Sequence, residues 1–172
     1  MIEFMVIAAP RSGTTWASNW LTTEKTTCLH DPLWKYRVDE LDLIKTNKML
    51  GVSCTGLYLV PKWVENHPAR KVILHRDLDE INKSCELRGM PLVSKEAVKN
   101  LDLLNGLHVH WKELFDNPKM IYEYLLQEPF DKERHDVLKE LNVQSTLENI
   151  VVDREVGLRF FSQLTEVMNG LL

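Results

Sequence analysis

Two short stretches carry residue types that can grip an anion. The first is Pro10-Arg11-Ser12-Gly13-Thr14-Thr15-Trp16. A glycine lets the backbone approach an anion closely, and free N–H groups at a helix start point at it. Ser12, Thr14 and Thr15 add hydroxyl donors, and Arg11 adds a forked, permanently charged donor suited to phosphate or sulfate. The second is His75-Arg76-Asp77, with Ser84 eight positions after Arg76. An arginine at the end of a strand can hold a phosphate through two N–H groups, and two helical turns return Ser84 toward it. Taken alone, Arg76 reads better as an arginine salt-bridged to Asp77 or Asp79 in an exposed loop; paired with the first motif in this order, the phosphate reading prevails.

A third stretch, His30-Asp31-Pro32-Leu33-Trp34, offers proton-transfer groups. Asp31 before Pro32 reads as a helix start, with aspartate at the N-cap and proline at the first helical position. His30 titrates in a useful range for proton transfer, although a lone histidine is more often structural.

Positioning these groups requires strands that end where the motifs begin. Phe4–Ala8 is an apolar run bounded by a proline and reads as a buried strand, with a helix from Thr14. Similar runs predict strands at about 50–54 and 71–75, and a fourth at about 118–122 before a helix over 132–141. One-face spacing predicts a helical segment after Pro32 with Trp34, Val38, Leu41 and Leu43-Ile44 inward. It also predicts a long helix from Ser94 to Phe115 carrying His108 and His110, and a last helix over 156–168. Alternating strands and helices with right-handed crossovers imply a single α/β domain over 1–172, three-layer α/β/α with a parallel central sheet.

The first motif departs from the nucleoside-triphosphate loop G-x-x-x-x-G-K-[ST]: Ala8 stands at its first glycine and Thr14 at its lysine. It resembles instead the 5′-phosphosulfate loop of sulfotransferases, which use 3′-phosphoadenosine 5′-phosphosulfate (PAPS) and typically show Pro-(Lys/Arg)-Ser-Gly-Thr-Thr-Trp there. The resemblance implies a P-loop-NTPase-like sulfotransferase fold. It assigns Arg11 to the phosphosulfate, Ser12, Gly13, Thr14 and Thr15 to the cradle, and Trp16 to packing on adenine. Arg76 and Ser84 match the family's contacts to the 3′-phosphate, with Leu78 in place of a usual proline. Carbohydrate sulfotransferases carry a similar acidic-Pro-Leu-Trp segment, which points to Asp31 as base, with His30 second. The segment around Tyr122-Glu123 is similar to a family strand end whose tyrosine touches adenine. Gly56 stands where cytosolic members have their catalytic histidine. The family's C-terminal basic loop is not recognisable; Lys139, Arg154 or Arg159 are the available replacements.

The implied activity is sulfuryl transfer from PAPS to a hydroxyl or amine of a carbohydrate or other small acceptor, without a metal. The alternatives are a small-molecule kinase and a non-catalytic nucleotide-binding protein that kept the fold. Among 172 residues, 44% are hydrophobic and 27% charged, with a net charge of −4. That argues for a globular domain and against nucleic acid as the main partner. Cys28, Cys54 and Cys85 lack metal-ligand spacing and read as reduced thiols, two of them in the core. With no membrane-length apolar run and no basic-plus-apolar leader, the reading is cytoplasmic.

Overall fold

Phe4–Ala8 (β1) is buried along its whole length, because it lies at the centre of a sheet covered on both faces. The computed structural model describes residues 1–141. Its other strands are β2 (Thr26–His30), β3 (Met49–Cys54), β4 (Arg70–His75) and β5 (Leu107–His110). All pairings are parallel, in the order β2-β3-β1-β4-β5. The helices are α1 (Thr14–Trp20), α2 (Pro61–Asn66), α3 (Leu78–Glu86), α4 (Lys95–Leu103), α5 (Glu113–Asp116), α6 (Pro118–Leu126) and α7 (Lys132–Glu140).

Side-chain alternation along β1 divides the core in two. Met5 and Ile7 face a cluster with Leu33, Leu41, Leu57, Val64, Ile81, Cys85, Leu101 and Leu104, contributed by the connections after β2, β3 and β4. Phe4, Val6 and Ala8 face a cluster with Trp16, Trp20, Leu114, Ile121 and Leu125, contributed by α1, α5 and α6. The chain therefore leaves β1 toward one face and leaves its neighbours β3 and β4 toward the other. In open parallel sheets such a divergence opens a crevice beyond the carboxyl ends of the strands. The cradle follows β1 and Arg76 follows β4, so both motifs flank that crevice.

Phe4 pairs with Gly51 across β1 and β3, and its ring lies over the glycine. A Cβ at Gly51 would stand 2.1 Å from ring atoms of Phe4. Gly51→Ala is expected to lower stability by about 2 kcal/mol through overpacking, read as a lower denaturant midpoint with an unchanged slope. A midpoint equal to wild type would show that Phe4 has a second place to go.

Three of the expected strands are present, as are the helices beginning at Thr14 and Lys132. The expected strand at 118–122 is instead the first part of α6. Pro118 sits at the start of that helix, where a missing N–H costs nothing. The expected long helix over 94–115 is three elements: α4 stops at Leu103, β5 occupies Leu107–His110, and α5 follows. His108 and His110 are thus exposed strand residues rather than helical ones. The segment after Pro32 forms two 3-10 turns, Pro32–Trp34 and Val38–Leu43, not one amphipathic helix. Val38 and Leu41 are inward as expected, but Trp34 and Leu43 are exposed. The three cysteines are all free and buried. Among the described residues no helix is long and apolar enough to cross a membrane. The expected last helix, Arg154 and Arg159 lie outside the described residues; Lys139 sits in the last turn of α7.

Candidate functional site

The turn between β1 and α1 is shaped by two left-handed residues, Arg11 at φ 65° and Gly13 at φ 90°. Such a conformation is free for glycine and unfavourable for arginine, so the surrounding structure must impose it. A side chain at Gly13 would also meet Leu114 Cδ1 at 3.2 Å. Ser53 at the end of β3 anchors the first helical turn, its hydroxyl donating to the Thr14 carbonyl at 2.9 Å. At the far end of α1, Arg134 of α7 donates to the carbonyls of Asn19, Trp20 and Thr22. Those are the acceptors that a helix C-terminus leaves open, and a cation is favourable there. The element carrying the cradle is therefore pinned at both ends.

Arg76 and Ser84 reach the cradle. Arg11 Nε donates to Ser84 Oγ at 3.1 Å, and the Arg76 guanidinium donates to the Arg11 carbonyl. The side chain of Arg76 also bonds Glu80 Oε2 through Nε at 3.0 Å, so its acidic partner is neither Asp77 nor Asp79. Asp77 instead caps α3, accepting from the N–H groups of Asp79 and Glu80. Burial first, then the charge of Arg88, push the Arg11 guanidinium below its ordinary range; Cys85 opposes this and Arg76 adds to it. The charges of Arg88 and Arg76 are thus both felt at Arg11, in a chain of net charge −4. An anion at Arg11 is favoured by that local positive field. The Ser12 hydroxyl in the cradle is buried without a hydrogen-bond partner, which a bound anion would explain.

On the β2 and β3 side lies a polar group. His30 Nε2 is 3.1 Å from Thr15 Oγ1, 3.3 Å from Thr14 Oγ1 and 3.3 Å from Asp31 Oδ2. Asp31 has φ 41°, and its side chain makes no N-cap bond to the Pro32 turn. Its Oδ1 accepts instead from Thr55 N at 2.6 Å and Thr55 Oγ1 at 3.0 Å. Asp31 thus stands at the N-cap position with Pro32 opening the turn, as expected, but its carboxylate bonds Thr55 rather than capping the turn. Behind it, burial and then the charge of Asp31 push the Cys54 thiol far up, leaving it protonated.

Two expected contacts fall elsewhere. Trp16 is 6% exposed, packed against Trp20, Phe115 and His135, with its indole N–H donating to the Leu138 carbonyl. Its ring is core rather than a platform for a base. Tyr122 is 3% exposed on α6, against Trp20 and Phe130 at the end of α1 remote from the cradle. Burial pushes its hydroxyl up, as a core tyrosine requires. Gly56 is buried and offers no imidazole where the family resemblance seeks one.

Three site residues carried no assignment from the sequence. Thr55 was overshadowed by its neighbour Gly56. Arg88 stands one helical turn beyond Ser84, a spacing that shares a helix face. Trp111 follows the alternating Leu107-His108-Val109-His110, and its ring lies over the Arg76 guanidinium with Cζ 4.5 Å from the ring centroid. Among the described residues no group of three or more His, Cys, Asp or Glu side chains is placed to hold a metal ion. No family model matches the chain, and no curated protein matches it.

Proposed function

We propose that this protein transfers a sulfuryl group from PAPS to a hydroxyl or amine of a carbohydrate or other small acceptor, releasing adenosine 3′,5′-bisphosphate. One observation carries the reading: the hydroxyl of Ser84 and the guanidinium of Arg76, both far along the chain, meet at Arg11 of the cradle. Two anion grips then lie within reach of one doubly charged nucleotide. In this reading the 5′-phosphosulfate sits at Arg11 and the Ser12–Thr15 turn, and the 3′-phosphate at Arg76 and Ser84.

The reaction needs in-line positioning and neutralised charge on the equatorial oxygens more than covalent help. The acceptor oxygen forms its bond to sulfur as the bond from sulfur to the 5′-phosphate oxygen breaks. The acceptor's proton passes to the His30–Asp31 pair, and the bisphosphate departs with its charge held by Arg11. Thr55 fixes Asp31 through Oδ1, which leaves Oδ2 to act with His30 Nε2. His30 is the more exposed of the two, with 37% of its side chain accessible against 15% for Asp31, and meets the acceptor first.

A second reading is a nucleotide-binding protein without turnover; the buried Gly56 favours it. Calorimetry on the full chain with adenosine 3′,5′-bisphosphate, AMP and ATP, followed by PAPS turnover on an acceptor panel, separates the readings. The sulfuryl-transfer reading expects the bisphosphate to bind at least tenfold more tightly than AMP, since charged hydrogen bonds contribute about 1.5–3 kcal/mol each. It also expects turnover. Preference without turnover supports the second reading. Equal affinity for AMP removes both 3′-phosphate assignments, and ATP binding most tightly would support a kinase.

A further inference from the structure

Arg76 must itself be held before it can hold a phosphate. Two of its contacts are polar: Nε to Glu80 Oε2 and a terminal N–H to the Arg11 carbonyl. They use two of the five guanidinium N–H groups. The third contact is the face of Trp111, 4.5 Å from Cζ. That ring is fixed independently. Its backbone N–H donates to the His75 carbonyl at 2.8 Å, tying the end of β5 to the residue before Arg76, and its edge meets Phe115 at 6.0 Å. Its indole N–H is buried and unbonded, so packing rather than hydrogen bonding sets its orientation.

The two kinds of clamp differ in what they leave behind. A carboxylate such as Glu80 orients a guanidinium but competes with an incoming phosphate for its charge. An aromatic face orients the same plane through the ring quadrupole and leaves the charge in place. We propose that Trp111 is the positioning residue of the phosphate grip: it holds Arg76 over its ring so that the remaining N–H groups meet one phosphate, and thereby sets the preference for a 3′-phosphorylated nucleotide. The inference rests on the PAPS reading above.

The test is calorimetry on wild type, Trp111→Leu, Trp111→Met and Trp111→Tyr, each with adenosine 3′,5′-bisphosphate and AMP. Leucine and methionine remove the π face; methionine keeps more bulk and serves if the leucine variant does not fold. Tyrosine keeps the face. Loss of the aromatic contact is expected to cut the bisphosphate-over-AMP preference about tenfold, with AMP affinity within about twofold, and tyrosine is expected to retain it. A preference unchanged in both aliphatic variants overturns the inference, as does an equal loss for both nucleotides, which would make Trp111 a scaffold or base contact. Wild type that fails to discriminate the two nucleotides overturns the PAPS reading, and with it the role of Trp111.

Discussion

Arg76→Ala is expected to weaken binding of adenosine 3′,5′-bisphosphate by about a hundredfold while AMP binding changes by no more than about threefold. The first figure follows from removing a charged, two-pronged partner of a phosphate, where each such hydrogen bond is worth about 1.5–3 kcal/mol. The second follows from the location of Arg76, which is tied to the 5′ side by its bond to the Arg11 carbonyl. Arg76→Lys is the informative companion. It keeps the charge but loses the planar fork and its stacking on Trp111, and is expected to recover only part of the loss. Calorimetry reads all of these. A bisphosphate affinity unchanged by Arg76→Ala would remove the 3′-phosphate from this crevice, whatever else binds there. Because the charge of Arg76 opposes that of Arg11, the alanine variant is not expected to lose fold stability by a comparable amount. Equal thermal midpoints for the nucleotide-free proteins would separate lost binding from lost structure.

Asp31→Asn is expected to lower turnover by at least a hundredfold, the usual range for removing a general base, with bisphosphate affinity within about threefold. The amide oxygen of asparagine can still accept from Thr55, so the left-handed turn at position 31 is kept. What disappears is the negative charge facing His30 Nε2 at 3.3 Å. If His30 passes the proton while Asp31 supports its charged form, His30→Gln should fall as far as Asp31→Asn, and the double variant little further. Residues that act as one unit are not additive. Full turnover by Asp31→Asn would take the base away from this pair. A wild type that binds the bisphosphate but turns over no acceptor would leave His30 and Asp31 as structural polar groups around Thr14, Thr15 and Thr55.

The two grips illustrate what local sequence can express. Pro10-Arg11-Ser12-Gly13 and the Arg76-to-Ser84 interval are each read from contiguous residues, because a tight turn and a helix repeat impose fixed spacing. Their order along the chain was legible too. Their meeting is expected from a parallel sheet, but what delivers it is that β1 and β4 are neighbours although β2 and β3 intervene in the chain. The two aromatic rings expected at the base are enclosed for a related reason. Trp16 and Tyr122 are aromatic residues at plausible offsets from the motifs. Their exposure is decided by α6 and α7, which pack over α1 and enclose both rings. Trp111 took a site position without any motif of its own, through the register of β5 against β4.

By itself, the amino-acid sequence determined the interior of the sheet. β1, β3 and β4 each have strands on both sides and core on both faces, so they must be written as near-continuous apolar runs, and such runs are visible. β2 and β5 are the edges. Each has one neighbour, and their mixed burial lets threonine, cysteine and histidine stand where valine or isoleucine would announce a strand. Only the tertiary structure decided them, since an edge strand is defined by the partner it finds and not by its own composition. The same holds for the crevice: its charges are local property, but their convergence belongs to the parallel order of five strands.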